Sequence, residues 1–443
     1  MTDTPYLSGN FAPVADETTA HDLPVKGQIP VDLCGRLLRI GPNPVTPPGP
    51  NHHWFVGSGL VHGVWLRDGR AQAYRSRFVR DDQVCEAKGW PGTPGPRYTE
   101  QGGGAANTNV IAHAGRTYAI VEAGGNPVEL SDELDTVARS DFDGTLPGPF
   151  SAHPKRDPAS GELHVLGYYP GLDALHYNVV GVDGRVRKTV EIPVAGKTMV
   201  HDCAITPNYF IVFDMPVLFD PELVEQGIPL PYRWYDDYGT RVGLLPRDGT
   251  ADDIGWHAVD PCFVFHPMNA YEDSDGRVVL DVVRHPKMFA TRLDGPNEGR
   301  STLDRWIVDP KGGPVKESRL SDRGQEFPRH DERLIGQPYR YGYCGAVGDG
   351  IAFGGLLKHD LRTGETLHRD DAGLQYQEPV FVPRSDEAGE DDGWLMAYAH
   401  DQRRDAANVV ILHAQDFLGE PVATIELPVR VPFGFHGNWV PER

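Results

Sequence analysis

HGVWLRDGRAQAYRSRFV, residues 62–79, consists of two runs of alternating apolar and polar residues joined by the dipeptide Asp68-Gly69. Asp-Gly between two such runs predicts a β-hairpin, because both central residues of a type I′ turn need a positive φ angle. Comparable hairpin patterns recur at YNVVGVDGRVRKTVEI (177–192), EDSDGRVVLDVV (272–283), KHDLRTGETLHR (358–369) and LHAQDFLGEPVATIELP (412–428). We therefore expect antiparallel hairpins from one end of the chain to the other.

Between the hairpins lie runs that are typical of single strands. They are RTYAIVEA (116–123), ELHVLGYY (162–169), NYFIVFDM (208–215), GIAFGGLL (350–357) and GWLMAYA (393–399). Helical periodicity is confined to two short candidates, 130–139 and 221–226. Glycine (51) and proline (39) together make up about a fifth of the chain, which favours many short elements joined by turns.

These elements predict an all-β fold that avoids open sheet edges by closure or by radial repetition. A seven-bladed β-propeller fits best, with about 63 residues for each four-stranded blade, more than the roughly 40–45 of a compact repeat. The surplus predicts a loop-rich dome over the functional face. Two β-sandwich domains are the alternative, but no Pro- or Ser-rich linker divides the chain, so a single domain over 1–443 is expected.

Composition bounds the partners and the setting. The 63 acidic residues outnumber the 42 basic ones, giving a net charge of −21, and the densest charge run is the acidic DEAGEDD (386–392), so nucleic acid is not an expected partner. Five cysteines without a CxxC pair suggest neither a disulfide framework nor a thiolate zinc site. The chain starts without a secretion signal and has no run of about 18 apolar residues, which predicts a soluble, reducing, cytoplasmic setting.

Histidine is the residue type that points to chemistry. Most of the 18 histidines are expected to be surface or structural residues, among them His52, His53, His176, His359, His368 and His413. Four others stand in distinctive contexts: His153 in FSAHPKRDPASGEL, His201 in MVHDCAITPNYFIVF, His266 in FVFHPMNAYED and His436 in PFGFHGNWVP. Their separations of 48, 65 and 170 residues match no local zinc motif. A metal shared by them would have to be bound from different blades.

Seven long motifs run in order along the chain: LCGRLLRIGPNP (33–44), WFVGSGLVHGV (54–64), YDDYGTRVGLLPRDG (235–249), RHPKMF (284–289), EFPRHDER (326–333), EPVFVPR (378–384) and GFHGNW (434–439). In these motifs and around the four histidines, the sequence resembles the carotenoid cleavage oxygenases, a family that includes lignostilbene dioxygenases and the retinoid isomerase of the visual cycle. The resemblance spans nearly the whole chain. It implies a seven-bladed propeller with a loop-built dome, in agreement with the hairpin pattern.

The resemblance also implies the site. The family's four iron-binding histidines match His153, His201, His266 and His436. The family also has glutamates that hydrogen-bond to these histidines, and they match Glu122, Glu326 and Glu378. Neutral imidazoles bind Fe(II) without cancelling its charge, and a ligating imidazole needs its other N–H held, usually by a carboxylate. Without the resemblance, the glutamates would be interpreted as exposed residues at strand ends. No further acid, base or nucleophile is expected to be catalytic.

The implied reaction is the cleavage of one conjugated C=C bond by O2, giving two carbonyl products. Family members that cleave 4-hydroxystilbenes hold the ionised phenol with a lysine and a tyrosine. The lysine would fall at Val121, and Tyr98 in the shorter loop 89–110 has no clear counterpart. Loss of the cation removes a charge-assisted partner of the phenolate. An apolar carotenoid or apocarotenoid is therefore favoured over a stilbene-like substrate.

Three rival functions remain open from the sequence. The first is an isomerohydrolase that uses the same metal. The second is a metal-dependent propeller hydrolase such as a lactonase, whose hard cation prefers oxygen ligands. The third is a propeller scaffold that binds peptides. A further expectation concerns MPVLFDPELVEQGIPLPYRWY (215–235), which could either touch lipid as a peripheral membrane patch or line the substrate tunnel as part of the dome.

Overall fold

A computed structural model describes residues 4–49, 51–99, 101–296, 298–348 and 352–442. Its strands form seven antiparallel sheets of four to six strands and one separate two-stranded sheet. The seven larger sheets are the blades of a propeller, so the predicted all-β, seven-bladed architecture is confirmed. No helix in the described ranges is long and apolar enough to cross a bilayer.

The strands follow one another blade by blade. In chain order they are β1 Thr18–His21, β2 Val25–Gly27, β3 Gly35–Pro42, β4 Gly59–Arg67, β5 Arg70–Phe78, β6 Asn109–His113, β7 Arg116–Ile120, β8 Val128–Leu130, β9 Thr136–Arg139, β10 Lys155–Arg156, β11 Leu163–Gly167, β12 Ala174–Val180, β13 Val186–Pro193, β14 Ala204–Ile205, β15 Tyr209–Asp214, β16 Val217–Phe219, β17 Tyr232–Trp234, β18 Arg241–Pro246, β19 Gly255–Ala258, β20 Phe263–Glu272, β21 Val278–His285, β22 Thr302–Val308, β23 Lys316–Ser321, β24 Gln325–His330, β25 Tyr341–Val347, β26 Phe353–Asp360, β27 Glu365–Arg369, β28 Leu374–Tyr376, β29 Val380–Pro383, β30 Gly393–Asp401, β31 Ala406–His413, β32 Ala423–Glu426 and β33 Gly437–Pro441.

Both chain ends close the ring. The C-terminal strand β33 pairs with β3 of the first blade, and the N-terminal strand β2 pairs with β32 of the last blade. The β33–β3 approach depends on Gly437, because a Cβ there would lie 2.1 Å from the carbonyl oxygen of Leu38. Closure of this kind removes the open edges that a row of sheets would otherwise present.

The innermost strands surround the propeller axis. Contacts between neighbouring blades link β33 with β6, β14 with β20, β20 with β24, β24 with β29 and β29 with β33. Residues on or next to these strands therefore face one another across the axis, however far apart they are in sequence.

The five predicted hairpins are all present. They pair β4 with β5, β12 with β13, β20 with β21, β26 with β27, and β31 with β32. Asp68 and Gly69 both have positive φ angles (52° and 69°), as a type I′ turn requires. At Asp183-Gly184 and Asp275-Gly276 only the glycine has a positive φ, and the connecting loops are longer. The single runs are also strands, although Gly350 and Ile351 of GIAFGGLL lie outside the described residues.

The helix predictions are half right. The segment 221–226 contains helix α2, Pro221–Glu225, which begins after the capping residue Asp220. The segment 130–139 is not helical: Leu134 has a positive φ of 69°, and the chain turns there from β8 to β9. Helix α1, Asp82–Lys88, was not predicted. The 3-10 turns are Pro5–Leu7, Gly9–Phe11, Gln101–Gly104, Ala251–Asp253, Glu332–Leu334 and Ala414–Asp416.

A small unit outside the blades forms part of the dome. Strands β16 and β17 pair with each other and, with α2, are inserted between β15 and β18 of the fourth blade. Val217, Tyr232 and Trp234 of this unit are buried in the largest apolar cluster, which also takes in residues of the third, fourth and fifth blades. The insertion is thereby packed onto the propeller.

Candidate metal centre

Four buried histidines converge on the axis from four blades. Nε2 of His201 lies 3.0 Å from Nε2 of His153 and 3.0 Å from Nε2 of His266, which in turn lies 3.2 Å from Nε2 of His436. All four nitrogen atoms lie within 4.8 Å of one another. Two ligands about 2.1 Å from one ion and at right angles to each other would be about 3.0 Å apart. The spacing therefore suits ligands of one transition-metal ion.

Prolines help to direct these side chains inward. His153 and His266 each precede a proline, and the pairing of β20 with β21 shifts register on both sides of Pro267. The pairing of β24 with β25 also shifts, between Glu326 and Arg329, a stretch that contains Pro328. Because proline cannot donate a ladder hydrogen bond, it favours such bulges, and a bulge turns neighbouring side chains in a new direction.

Carboxylates hold the Nδ1 atoms of three of the four histidines. His266 Nδ1 is 2.6 Å from Glu326 Oε2, and His436 Nδ1 is 2.8 Å from Glu378 Oε1. His201 Nδ1 is 2.7 Å from Glu122 Oε2, although this contact is bent away from the direction of a good N–H donor. The structure therefore brings the three predicted glutamates to the predicted histidines.

This arrangement fits a bound cation. When Nδ1–H donates to a carboxylate, the other ring nitrogen, Nε2, carries the lone pair. Lone pairs that face one another at about 3 Å repel in a buried site unless a cation lies between them. The donor set is all imidazole nitrogen, which suits iron and its transition-metal neighbours better than calcium or magnesium.

Protonation differs among His153, His201 and His436. Burial lowers the pKa of His436 to about 3, although Glu378 opposes the shift, and burial with neighbouring imidazoles holds the pKa of His153 well below its usual range. Burial also lowers the pKa of His201, but Glu122 outweighs it and the net shift is upward. Of these three rings, His201 is therefore the one that a proton occupies most readily when no metal is bound, and metal binding would displace that proton.

Each glutamate has a second partner, and the three partners differ chemically. Glu122 accepts from the hydroxyl of Tyr168, and Glu326 Oε1 is 2.7 Å from His285 Nε2. Glu378 Oε1 is 3.2 Å from Arg329 NH1. Burial would raise the pKa of Glu378, but Arg329 and His436 lower it to about 2. The carboxylates are thus paired on both sides, which offsets the cost of burying their charge.

An apolar cavity of about 200 Å³ reaches the histidines from one side. Its wall includes Phe55, Phe265, Phe327 and Phe435, together with Leu230 and Tyr232 from the dome unit. Of the four histidines, His201, His266 and His436 border it. Among the described residues that line it, none is lysine, arginine or aspartate. This wall suits a hydrocarbon ligand.

A polar cavity of about 1040 Å³ reaches the histidines from another side. Its wall includes Lys155, Asp202 and Arg329, and it borders His153, His266 and His436. His153 therefore borders only the polar cavity, and His201 only the apolar one.

The other predicted residues fall outside the cluster or into its wall. Three histidines have other polar partners: His53 Nε2 contacts Gly295 O at 2.9 Å, His359 contacts Gln325 and Thr366, and His413 contacts Arg384. His176 is buried in β12, and His368 is exposed. Val121 lines the apolar cavity, whereas Tyr98 packs edge-on against Tyr169 and is not in its wall. In the segment 215–235, Val224 and Tyr235 are exposed while Leu230 and Tyr232 line the cavity.

Four further residues of the centre were not predicted: Tyr168, His285, Arg329 and Asp202. Each stands inside a stretch already quoted, in ELHVLGYY, RHPKMF, EFPRHDER and MVHDCAITPNYFIVF. Their contacts connect different blades, so no local spacing could have paired them with the glutamates and histidines that they touch. The motifs carried the only available signal.

Comparisons with known proteins agree with this geometry. A family model described as retinal pigment epithelial membrane protein matches residues 11–441. The chain is 44% identical to the carotenoid cleavage oxygenase of Mycobacterium tuberculosis H37Rv, over 99% of this chain and 97% of that protein. The lignostilbene dioxygenase of Pseudomonas brassicacearum superposes with a TM-score of 0.90 at 28% identity, covering 99% of both chains. The cobalt-substituted apocarotenoid oxygenase of Synechocystis gives 0.86 at 28% identity, covering 97% of both.

Proposed function

Because the chain belongs to the carotenoid cleavage oxygenase family, we propose that it is a non-haem Fe(II) dioxygenase that cleaves one conjugated C=C bond of a carotenoid or apocarotenoid. The reaction consumes O2 and yields two carbonyl products. The observation that carries the proposal is the convergence of four imidazole nitrogens beside an apolar cavity. No additional acid, base or nucleophile is assigned a catalytic role.

The roles of the residues follow from their positions. His153, His201, His266 and His436 would hold the iron, and Glu122, Glu326 and Glu378 fix the tautomer and orientation of three of these rings. Ferrous iron, when bound, would bind and activate dioxygen. The phenyl rings of the cavity wall exclude water and position the substrate's double bond, which is how the protein itself contributes to the rate.

The cavity wall favours a polyene over a 4-hydroxystilbene. Val121 stands where stilbene-cleaving relatives would have lysine, and it contributes only a branched alkyl group to the wall. A phenolate placed there would lose its water shell without gaining a cationic partner. Cleavage of a stilbene or phenylpropene is the second candidate within the family, and it is favoured by the structural similarity to the lignostilbene dioxygenase.

Anaerobic reconstitution tests the proposal. The purified protein would be loaded with Fe(II), then mixed with air-saturated buffer and either an apocarotenal or resveratrol. We expect oxygen uptake matched to loss of polyene absorbance, with two carbonyl products by mass spectrometry. Faster cleavage of resveratrol than of apocarotenals would overturn the choice of substrate, and no oxygen uptake with any polyene or stilbene would overturn the dioxygenase itself.

The same assay separates the rivals. An isomerohydrolase would convert a retinoid ester without consuming oxygen. A propeller hydrolase would need a hard cation, which the four imidazole donors do not favour. A peptide-binding scaffold would have no use for four buried histidines that meet on the axis.

Membrane contact and cellular location also stay proposals. The exposed side of 215–235 presents Tyr235 and Val224, the latter flanked by Glu222 and Glu225, so the apolar surface available to lipid is small. Any binding would be hydrophobic, because a net charge of −21 is repelled by anionic headgroups. We propose a cytoplasmic, single-domain enzyme with peripheral membrane contact through this segment. Salt-insensitive flotation with liposomes supports the contact, and absence from the floated fraction removes it.

A further inference from the structure

One of the four histidines lacks the glutamate that supports each of the others. His201, His266 and His436 each have a carboxylate oxygen within 2.8 Å of Nδ1. The carboxylate near His153 Nδ1 is that of Asp202, whose Oδ2 is 3.8 Å away. This separation is too long for a direct hydrogen bond, and a water molecule to the side of the two atoms can accept from Nδ1–H and donate to Oδ2.

Asp202 is held firmly in place. Lys155 Nζ lies 2.8 Å from its Oδ1 and 2.9 Å from its Oδ2, and the backbone N–H of Cys203 donates to Oδ1 at 2.5 Å. The Asp202 side chain is only 2% exposed, whereas that of Lys155 is 21% exposed. A buried carboxylate with two fixed partners has little freedom to turn.

The ion pair also links two of the histidines through the chain. Lys155 stands two residues after His153, and Asp202 directly follows His201. The pair therefore ties the first strand of the third blade to the segment that leads into the fourth. The segments that this ion pair connects carry the two histidines whose Nε2 atoms lie 3.0 Å apart.

From these contacts we propose that Asp202, fixed by Lys155, is a positioning residue for His153 and sets the affinity of the centre for its metal. Asp202 accepts from the Nδ1–H of His153 through one water on the polar side, so that Nε2 keeps its lone pair for the metal. His153, Lys155 and Asp202 all border the polar cavity, where water has access. The proposal rests on the metal centre proposed above.

Metal binding tests it without using catalysis. Co(II) and Fe(II) affinities would be measured anaerobically by competition with a chelator, and the Co(II) visible spectrum would report ligand geometry. Asp202→Asn keeps the shape but weakens acceptance from Nδ1–H. It is expected to lower metal affinity about 10–100-fold, the usual cost of losing such a partner, and to shift the Co(II) bands.

A second ion pair provides the matched control. Lys358 Nζ is 2.6 Å from Asp391 Oδ2, and both side chains are 7% exposed, but neither contacts the histidines. Asp391→Asn should lower stability to a comparable extent and leave metal affinity and the Co(II) spectrum unchanged. Lys155→Met should resemble Asp202→Asn, and Lys155→Arg should restore most of the affinity.

The outcomes separate the two proposals. If the unaltered protein binds neither metal, both the metal centre and the role of Asp202 fall. If it binds them, and Asp202→Asn shows the same affinity and spectrum, only the role of Asp202 is overturned. Should Asp202→Asn not fold, Lys155→Met carries the same comparison, and wild-type affinity in that variant would contradict the proposal.

Discussion

The apolar and polar cavities meet at the cluster of four histidines, of which each cavity borders three, but their walls differ in chemistry. The apolar cavity, about 200 Å³, is walled by phenyl rings and by the dome unit, and the side chain of His201 borders it. The polar cavity, about 1040 Å³, has many charged residues in its wall, among them Lys155, Asp202 and Arg329, and His153 borders it. The histidines therefore form a boundary between a compartment with a mainly apolar wall, suited to a hydrocarbon and called here the dry side, and one with a charged wall, called the wet side.

The carboxylates follow the same division. Glu122 and Glu326 border the apolar cavity and take their second hydrogen bonds from Tyr168 and His285. Glu378 borders the polar cavity and is paired with Arg329. The dry side therefore holds its carboxylates with polar groups that carry no permanent charge, and the wet side uses a guanidinium.

Removing a histidine of the boundary should have the largest effect. His266 borders both cavities, and His266→Ala leaves three nitrogen donors and a Glu326 that keeps only His285 as a side-chain partner. We expect metal content near zero after dialysis and loss of activity by about a thousandfold or more, since the metal carries the chemistry. His176→Ala, which removes a buried histidine from β12, serves as the control and should keep its metal. Full metal retention by His266→Ala would show that His266 is not needed to hold the metal between the two cavities.

Acid should lower the stability of the folded protein by protonating Glu378 on the wet side. Its folded pKa is about 2, against an ordinary value of 4.5, because Arg329 and His436 outweigh burial. The stability it contributes is thus fully present above about pH 4.5 and is lost as pH falls towards 2. Without metal, wild type should therefore be more stable than Glu378→Gln by a pH-dependent amount. That amount should be on the order of 3 kcal/mol at pH 6 and should vanish near pH 2.

Urea unfolding at a series of pH values measures that difference. The sign is specific, because a carboxyl whose pKa is lowered on folding can only lose stability towards acid. A difference that stays constant from pH 6 to pH 2 would mean that Glu378 is not held ionised by its neighbours.

A charge placed on the dry side should have a smaller, selective effect. Val121→Lys adds an ammonium group to the apolar wall, and Val121→Met adds a side chain of similar length without charge. We expect kcat/KM for an apocarotenal to fall about tenfold with lysine and much less with methionine, because a desolvated charge opposes hydrocarbon binding. The ratio of 4-hydroxystilbene to apocarotenal cleavage should rise only with lysine. Equal effects of the two substitutions would show that size, rather than charge, matters at this wall.

Much of the fold was predictable because hairpins are local. The type I′ turn at Asp68-Gly69 and the pairing around Gly276 depend on residues a few positions apart. The helix prediction for 130–139 is wrong because the apolar spacing of this segment suits a helix, whereas the chain forms a turn between β8 and β9. Leu134 has a positive φ in that turn. Helix α1 had a usable signal, the capping residue Asp81 and Gly89 at its end, in a segment too short for clear periodicity.

The site was predictable only through motifs. The spacing of the four histidines along the chain, His153, His201, His266 and His436, does not indicate that they meet. His436 reaches the other three because β33 pairs with β3 and closes the ring. The pairing of Asp202 with Lys155, and of Glu326 with His285, likewise depends on inner strands of different blades. Such contacts become visible only once the propeller is closed.

Anomalous diffraction from anaerobically grown crystals containing Fe(II), collected on both sides of the iron K edge, would locate the metal. We expect one strong iron peak on the propeller axis, about 2.1 Å from Nε2 of His153, His201, His266 and His436. A peak at another position, a metal bound through oxygen or sulfur, or a histidine from this set turned away from the iron would contradict it.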